Sequence, residues 1–176
     1  MRNNNAKFNY IFAISMIILS AIISYVSSKY LDGIAVKFLA ISIIAFLTAF
    51  IVNKFQITIY LIFASVALVY FDGYGQGEIL NYLPYILELF AGCFLISILK
   101  NIFYNHDFFI TIFAVIFGRL VFYVVSFVLF DVIFKQNIFS GFLLKTINEQ
   151  IYGVIANIIV VPLICYGIRK NTIIFN

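Results

Sequence analysis

Glu88 and Arg119 are the two residues of this chain whose chemistry is out of place. Each sits inside a stretch apolar enough to span a membrane, whereas nearly every other charge falls in a tail, a connection or a helix end. A charged side chain at bilayer depth costs about 2.5–3.5 kcal/mol on insertion scales, and such residues commonly line pathways or ligand sites. A carboxylate and a guanidinium at that depth can bind a polar ligand, or they can bind each other. Glu88 lies six residues into its stretch, about 9 Å below its outer end, and Tyr85 and Gly92 share its face by helical spacing. Arg119 lies near the middle of the next stretch, with Tyr123 and Ser126 on its face. The last stretch opens with Asn148, Glu149 and Gln150 and carries Tyr152 and Asn157. Together these residues would furnish an outward-facing polar pocket. The structural alternatives are a Glu88–Arg119 pair that locks two helices, and an interhelical hydrogen bond from Asn157.

The elements that must hold these residues are membrane helices. Of 176 residues, 65% are hydrophobic and 10% charged, against about 45–50% and 25% in soluble domains. A spanning helix needs about 20 apolar residues. The chain then reads as one integral membrane domain over 1–176, all-α and polytopic. Its six transmembrane helices fall at 8–28, 35–53, 56–71, 82–103, 108–130 and 149–168. The runs are continuously apolar without two-residue alternation, which selects helices over a barrel. The third is short for a span. The connection DVIFKQNIFSGFLLKTIN keeps many apolar residues and is expected to lie in the interface or fold back over the helices. Pro84 falls in the first turn of the fourth helix, where its missing N–H is harmless, and Pro162 falls inside the sixth.

With the N-terminus inside, six basic residues (Arg2, Lys7, Lys54, Lys100, Arg169, Lys170) face the cytoplasm and four (Lys29, Lys37, Lys135, Lys145) face outward. That bias puts both termini on the cytoplasmic side of the cell membrane. The first stretch is too long for a cleaved signal peptide, and no A-x-A-like site follows it. Cys93 and Cys165 lie in apolar spans and His106 is the single histidine, so neither a disulfide, a metal site nor another cofactor is expected. No basic tract points to nucleic acid. No Ser/His/Asp or Cys/His arrangement points to an enzyme. The phosphate-cradling G-x-x-x-x-G-K-[ST] pattern is absent from the sequence, so ATP use would belong to a partner.

Ser20, Ser24 and Ser28 recur at four-residue steps in the first span, with Ala13 and Ala21 close by. Small residues at this spacing let helices approach closely, either inside the chain or against a partner. The second span carries its own small residues at Ala35, Ser42, Ala45 and Ala49.

Three segments carry a family likeness: LPYILELFAG at 83–92, FGRLVFYVV at 117–125 and GVIANIIVVPLICYGIRK at 153–170. In that order and spacing the chain resembles the substrate-binding S components of energy-coupling-factor (ECF) transporters, in a branch of unknown substrate. The resemblance implies a six-helix receptor that captures a vitamin-like micronutrient from outside. Such a receptor works with a transmembrane coupling subunit and two cytoplasmic ATPases. It implies Glu88, Arg119, Tyr85, Tyr123, Glu149 and Asn157 as substrate-lining residues, and the loops 29–37 and 72–81 as lids. It also implies Ser20, Ala21 and Ser24 as the face toward the coupling subunit, where that family typically carries alanines. A second likeness is to the rod-shape-determining MreD proteins, membrane scaffolds of similar size and helix count, for whose post-helix Asp/Gly turn YFDGYGQG could pass. A receptor should hold Glu88 and Arg119 beneath an outward opening, whereas a scaffold need not.

Overall fold

A computed structural model describes the backbone of residues 2–30, 34–73, 79–103, 106–135 and 139–174. It describes the side chains of residues 8–30, 38–71, 80–103, 106–135 and 151–168. Among the described residues six α-helices follow one another: α1 (Arg2–Tyr30), α2 (Ile34–Ile51), α3 (Lys54–Leu68), α4 (Leu83–Ile102), α5 (Asp107–Phe127) and α6 (Phe139–Ile174). The chain is an all-α polytopic membrane protein. Among the described residues, five helices are long and apolar enough to cross a bilayer, and in α2 the apolar run Phe38–Ile51 is shorter.

α2 occupies the centre and packs on α1, α3, α4 and α6. Its side chains are accordingly buried on nearly every face, from Phe38 and Ile41 through Ala45 and Phe46 to Ala49 and Phe50. A helix apolar all round is a helix surrounded by protein or lipid. Here protein surrounds it, and its small residues Ser42, Ala45 and Ala49 are used in that packing. The outer helices instead present large apolar side chains outward, such as Ile11, Ile14, Ile18 and Ile22 on α1 and Phe109, Phe113 and Ile116 on α5. That inverted surface is what hydrocarbon solvates.

Two spans are lengthened by wider π-type turns, Val69–Gly73 after α3 and Val128–Ile133 after α5. The first brings the third span to 18 residues over Lys54–Phe71, which resolves its apparent shortness. After the second, the chain leaves through Lys135 at φ 52°, a left-handed residue of the kind that ends helices. The expected interfacial connection is corrected from Phe139 onward. Residues 139–148 form the first turns of α6, a 36-residue helix that continues through Pro162. Between Phe139 and Gln150 only Gly141 is a weak helix former and there is no proline, so nothing stops the helix there. Residues 136–138, 31–33 and 74–78 lie outside the described residues, and with them the central parts of both expected lids.

The α2–α3 turn is closed from three directions. Asn53 Oδ1 accepts from Gln56 N at 2.9 Å while Gln56 Oε1 accepts from Asn53 N at 3.3 Å, a reciprocal capping box. Lys100, from the last turn of α4, donates through Nζ to the carbonyls of Ala49 (2.7 Å), Phe50 (3.2 Å) and Val52. A cation there satisfies carbonyls that the end of α2 cannot bond internally and meets its negative dipole end. This ties α4 to α2 at the end of the bundle remote from Glu88.

Candidate functional site

The α4–α5 contact is the most extensive helix pairing in the fold. Two glycines allow it. A Cβ on Gly92 would lie 2.8 Å from the Phe46 ring and 3.3 Å from the Ala114 carbonyl oxygen. A Cβ on Gly118 would lie 3.1 Å from the Glu88 carbonyl oxygen. Because the helices run in opposite directions, this packing sets Gly118 against Glu88 and brings the next residue, Arg119, within reach of its carboxylate.

Arg119 Nε stands 2.9 Å from Glu88 Oε1, with side chains 14% and 6% exposed. At that separation and burial the attraction offsets much of the cost of desolvating each ion. Glu88 Oε2 is also buried, yet it has no hydrogen-bond partner among the described residues. An unsatisfied buried acceptor costs about 1–3 kcal/mol, more when charged.

Aromatic rings from three helices wall the pair on one side. Tyr85 packs at 5.0 Å on Phe38 of α2 and at 4.7 Å on Phe122 of α5, while Tyr123 stands 5.5 Å from Phe122. The Arg119 guanidinium carbon lies 5.7 Å from the Phe122 ring centre, within cation–π range. Tyr85 and Phe122 are buried and Tyr123 is half-buried.

No family model matches the chain, and neither a curated protein nor a solved structure matches it.

Of the expected lining residues, Glu88, Arg119, Tyr85 and Tyr123 are therefore brought together on α4 and α5. Asn157 is fully engaged elsewhere on its donor side. Its Nδ2 donates to Ser42 Oγ on α2 at 2.8 Å and to the Gly153 carbonyl at 2.9 Å, which is the interhelical bond foreseen as its alternative. Tyr152 is 74% exposed on the outer face of α6. The side chain of Glu149 lies outside the described residues.

The α1 stripe turns inward in this chain. Ser20 and Ser24 are buried, and Ser20 Oγ lies 2.8 Å from the hydroxyl of Tyr60 on α3, itself fully buried. Ala21 is half-buried beside them. Ser27 joins the buried set and Ser28 stays outside it, so the seam follows helical three- and four-residue steps rather than strict fours.

Three contributors escaped the sequence reading. Phe38 and Phe122 had no distinguishing mark among 22 phenylalanines. Lys100 stands out in the sequence only as a topological charge. Its place in the last turn of α4 is a recognisable capping signal, but the carbonyls it serves belong to another helix.

Proposed function

We propose that this chain is the membrane-embedded substrate-binding subunit of an ECF-type uptake system for a vitamin-like micronutrient. In this reading it lies in the cytoplasmic membrane with both termini inside. It takes ligand from the outer side and depends on a transmembrane coupling subunit and two ATPase subunits for transport. The carrying observation is the divided state of Glu88: one carboxylate oxygen engages Arg119 and the other is buried with an acceptor to offer. A ligand ammonium, amide or hydroxyl would satisfy that oxygen, and the rings of Tyr85 and Tyr123 would flank an apolar body. The first two motif segments support the same reading, since they contain Glu88 and Arg119.

One observation favours the second reading, a scaffold resembling the MreD proteins. Glu88 and Arg119 already neutralise each other, which is all that a helix lock requires.

Native mass spectrometry of the protein purified from its own membranes separates the two. A receptor retains a small molecule that Glu88→Gln releases, and it co-purifies with an ATPase and a coupling subunit. Recovery of shape-determining proteins, with no retained ligand and no ATPase, would overturn the transporter reading.

A further inference from the structure

A second polar site lies at the other end of the bundle. A cavity of about 490 Å³ opens between α1, the α2–α3 turn and the end of α4. Its polar lining is Asn9, Asn53, Lys54, Ser97, Lys100 and Asn101. The volume falls in the range of roughly 300–1,000 Å³ usual for small-molecule sites.

The lining contains two lysines, three carboxamides and a hydroxyl, and no carboxylate among the residues that form it. Every one of these side chains can donate a hydrogen bond. The first turn of α3 also borders the cavity at Lys54 and Phe55. A helix start directs N–H groups and the positive end of its dipole outward, which favours an anion.

Ser97 supplies an independent indication. It is fully buried, lines this cavity, and its Oγ has no hydrogen-bond partner among the described residues. Some hydroxyls in these helices bond back to the preceding turn, as Thr48 does to Ile44 and Thr111 to Asp107, both at 2.7 Å, whereas Ser24, Ser65 and Ser126 share with Ser97 a buried Oγ that has no partner among the described residues. Of these four serines, Ser97 is the one that lines this cavity. Helical spacing places Ser97, Lys100 and Asn101 on one face of α4. Lys100 commits its donors to the end of α2 and so contributes fixed positive charge, whereas Lys54 is exposed, with its Nζ 5.9 Å from the centre of the Phe94 ring.

We propose that this cavity binds a phosphate group, carried by an anionic phospholipid headgroup or by free phosphate. A cavity at the ends of spanning helices meets headgroups at their own depth, and basic pockets between such helices suit anionic lipids. The proposal is independent of the transporter reading, because it uses neither Glu88 nor Arg119.

The test is lipid retention by the full chain in detergent, read by native mass spectrometry. Phosphatidylglycerol is compared with phosphatidylcholine, whose choline would face the two lysines. Phosphatidylglycerol should be retained preferentially. Lys54→Ala should weaken its retention about fivefold, and Ser97→Ala roughly two- to tenfold. Displacement of that lipid by millimolar inorganic phosphate, lost with the same two substitutions, would identify free phosphate as the source. Equal retention of the two lipids without competition by phosphate overturns the proposal, as does retention indifferent to both substitutions. Lys54 is exposed, so its substitution alone decides the matter if Ser97→Ala does not fold.

Discussion

Gly118 and Glu88 touch across the α4–α5 interface. The position a Cβ would take on Gly118 is 3.1 Å from the Glu88 carbonyl oxygen and 3.2 Å from Glu88 Cγ. Close approach of these two backbones is therefore what delivers Arg119 to the carboxylate. A rigid carbonyl is the nearer neighbour, so an added methyl must push the helices apart. Gly118→Ala is expected to destabilise the protein by about 1–3 kcal/mol, the usual scale of overpacking. Gly167→Ala is the control, because its Cβ would meet nothing within 4 Å. It should be neutral or stabilising by up to about 1 kcal/mol through helix propensity. Thermal unfolding in detergent compares the two, and equal midpoints would refute the close-approach account.

The ion pair itself calls for a double-mutant cycle. Glu88→Gln or Arg119→Met alone leaves a buried partner uncompensated and should cost about 3–5 kcal/mol. The double substitution removes both charges and should cost less than either single change plus the other. Denaturant unfolding of the four proteins gives the coupling directly. Additive losses would mean that the 2.9 Å contact carries no net interaction.

Asn157 and Ser42 offer a second cycle with a different expectation. Hydrogen bonds between membrane helices average about 0.6 kcal/mol and reach about 1.7. Ser42→Ala and Asn157→Ala should therefore couple within that range in unfolding measurements. If Asn157→Ala abolishes ligand retention while stability is unchanged, the side chain lines the site rather than pinning α2 to α6.

Lys100→Met should loosen the α2–α3 turn. It removes a charged donor from three carbonyls, and hydrogen bonds to charged groups are worth about 1.5–3 kcal/mol. Hydrogen exchange at the backbone amides of residues 53–57 should accelerate, with exchange in the middle of α5 unaffected. Unchanged exchange at the turn would show that the capping box of Asn53 and Gln56 holds it unaided.

The seam between α1 and α3 gives a sharper stability test. Ser20 is fully buried and lies against Tyr60, so Ser20→Leu inserts a large side chain where no space exists. A loss of about 1–3 kcal/mol is expected. Ile14→Leu, on the exposed side of the same helix, should leave the unfolding midpoint unmoved. Equal behaviour of the two would return the serine stripe to the outer surface.

Much of this was legible in the residues because solvent chemistry acts locally. Continuous apolar runs can satisfy their backbone only as helices, so all six helices were visible, as were the polar breaks between most of them. The two buried charges were visible for the same reason, since nothing in hydrocarbon hides their cost. Boundaries were weaker where no breaker marks them, as at Phe139–Gln150, which could be read as a connection although no residue there prevents a helix. The serine stripe on α1 and the small residues of α2 were visible as small, but smallness does not name the helix on the other side.

Side-chain composition alone marks this as a six-helix membrane protein with a carboxylate and a guanidinium inside it, because transfer free energy depends on side chains one at a time. It takes the packed bundle to set Glu88 against Arg119, Ser20 against Tyr60, Asn157 against Ser42 and Lys100 over the end of α2. Those pairings join residues that are tens to more than a hundred positions apart in the chain. They depend on which helix faces are juxtaposed, and in a bundle whose helices are apolar on every side no sequence pattern specifies that. For α4 against α5 and α2, close packing at Gly92 and Gly118 does.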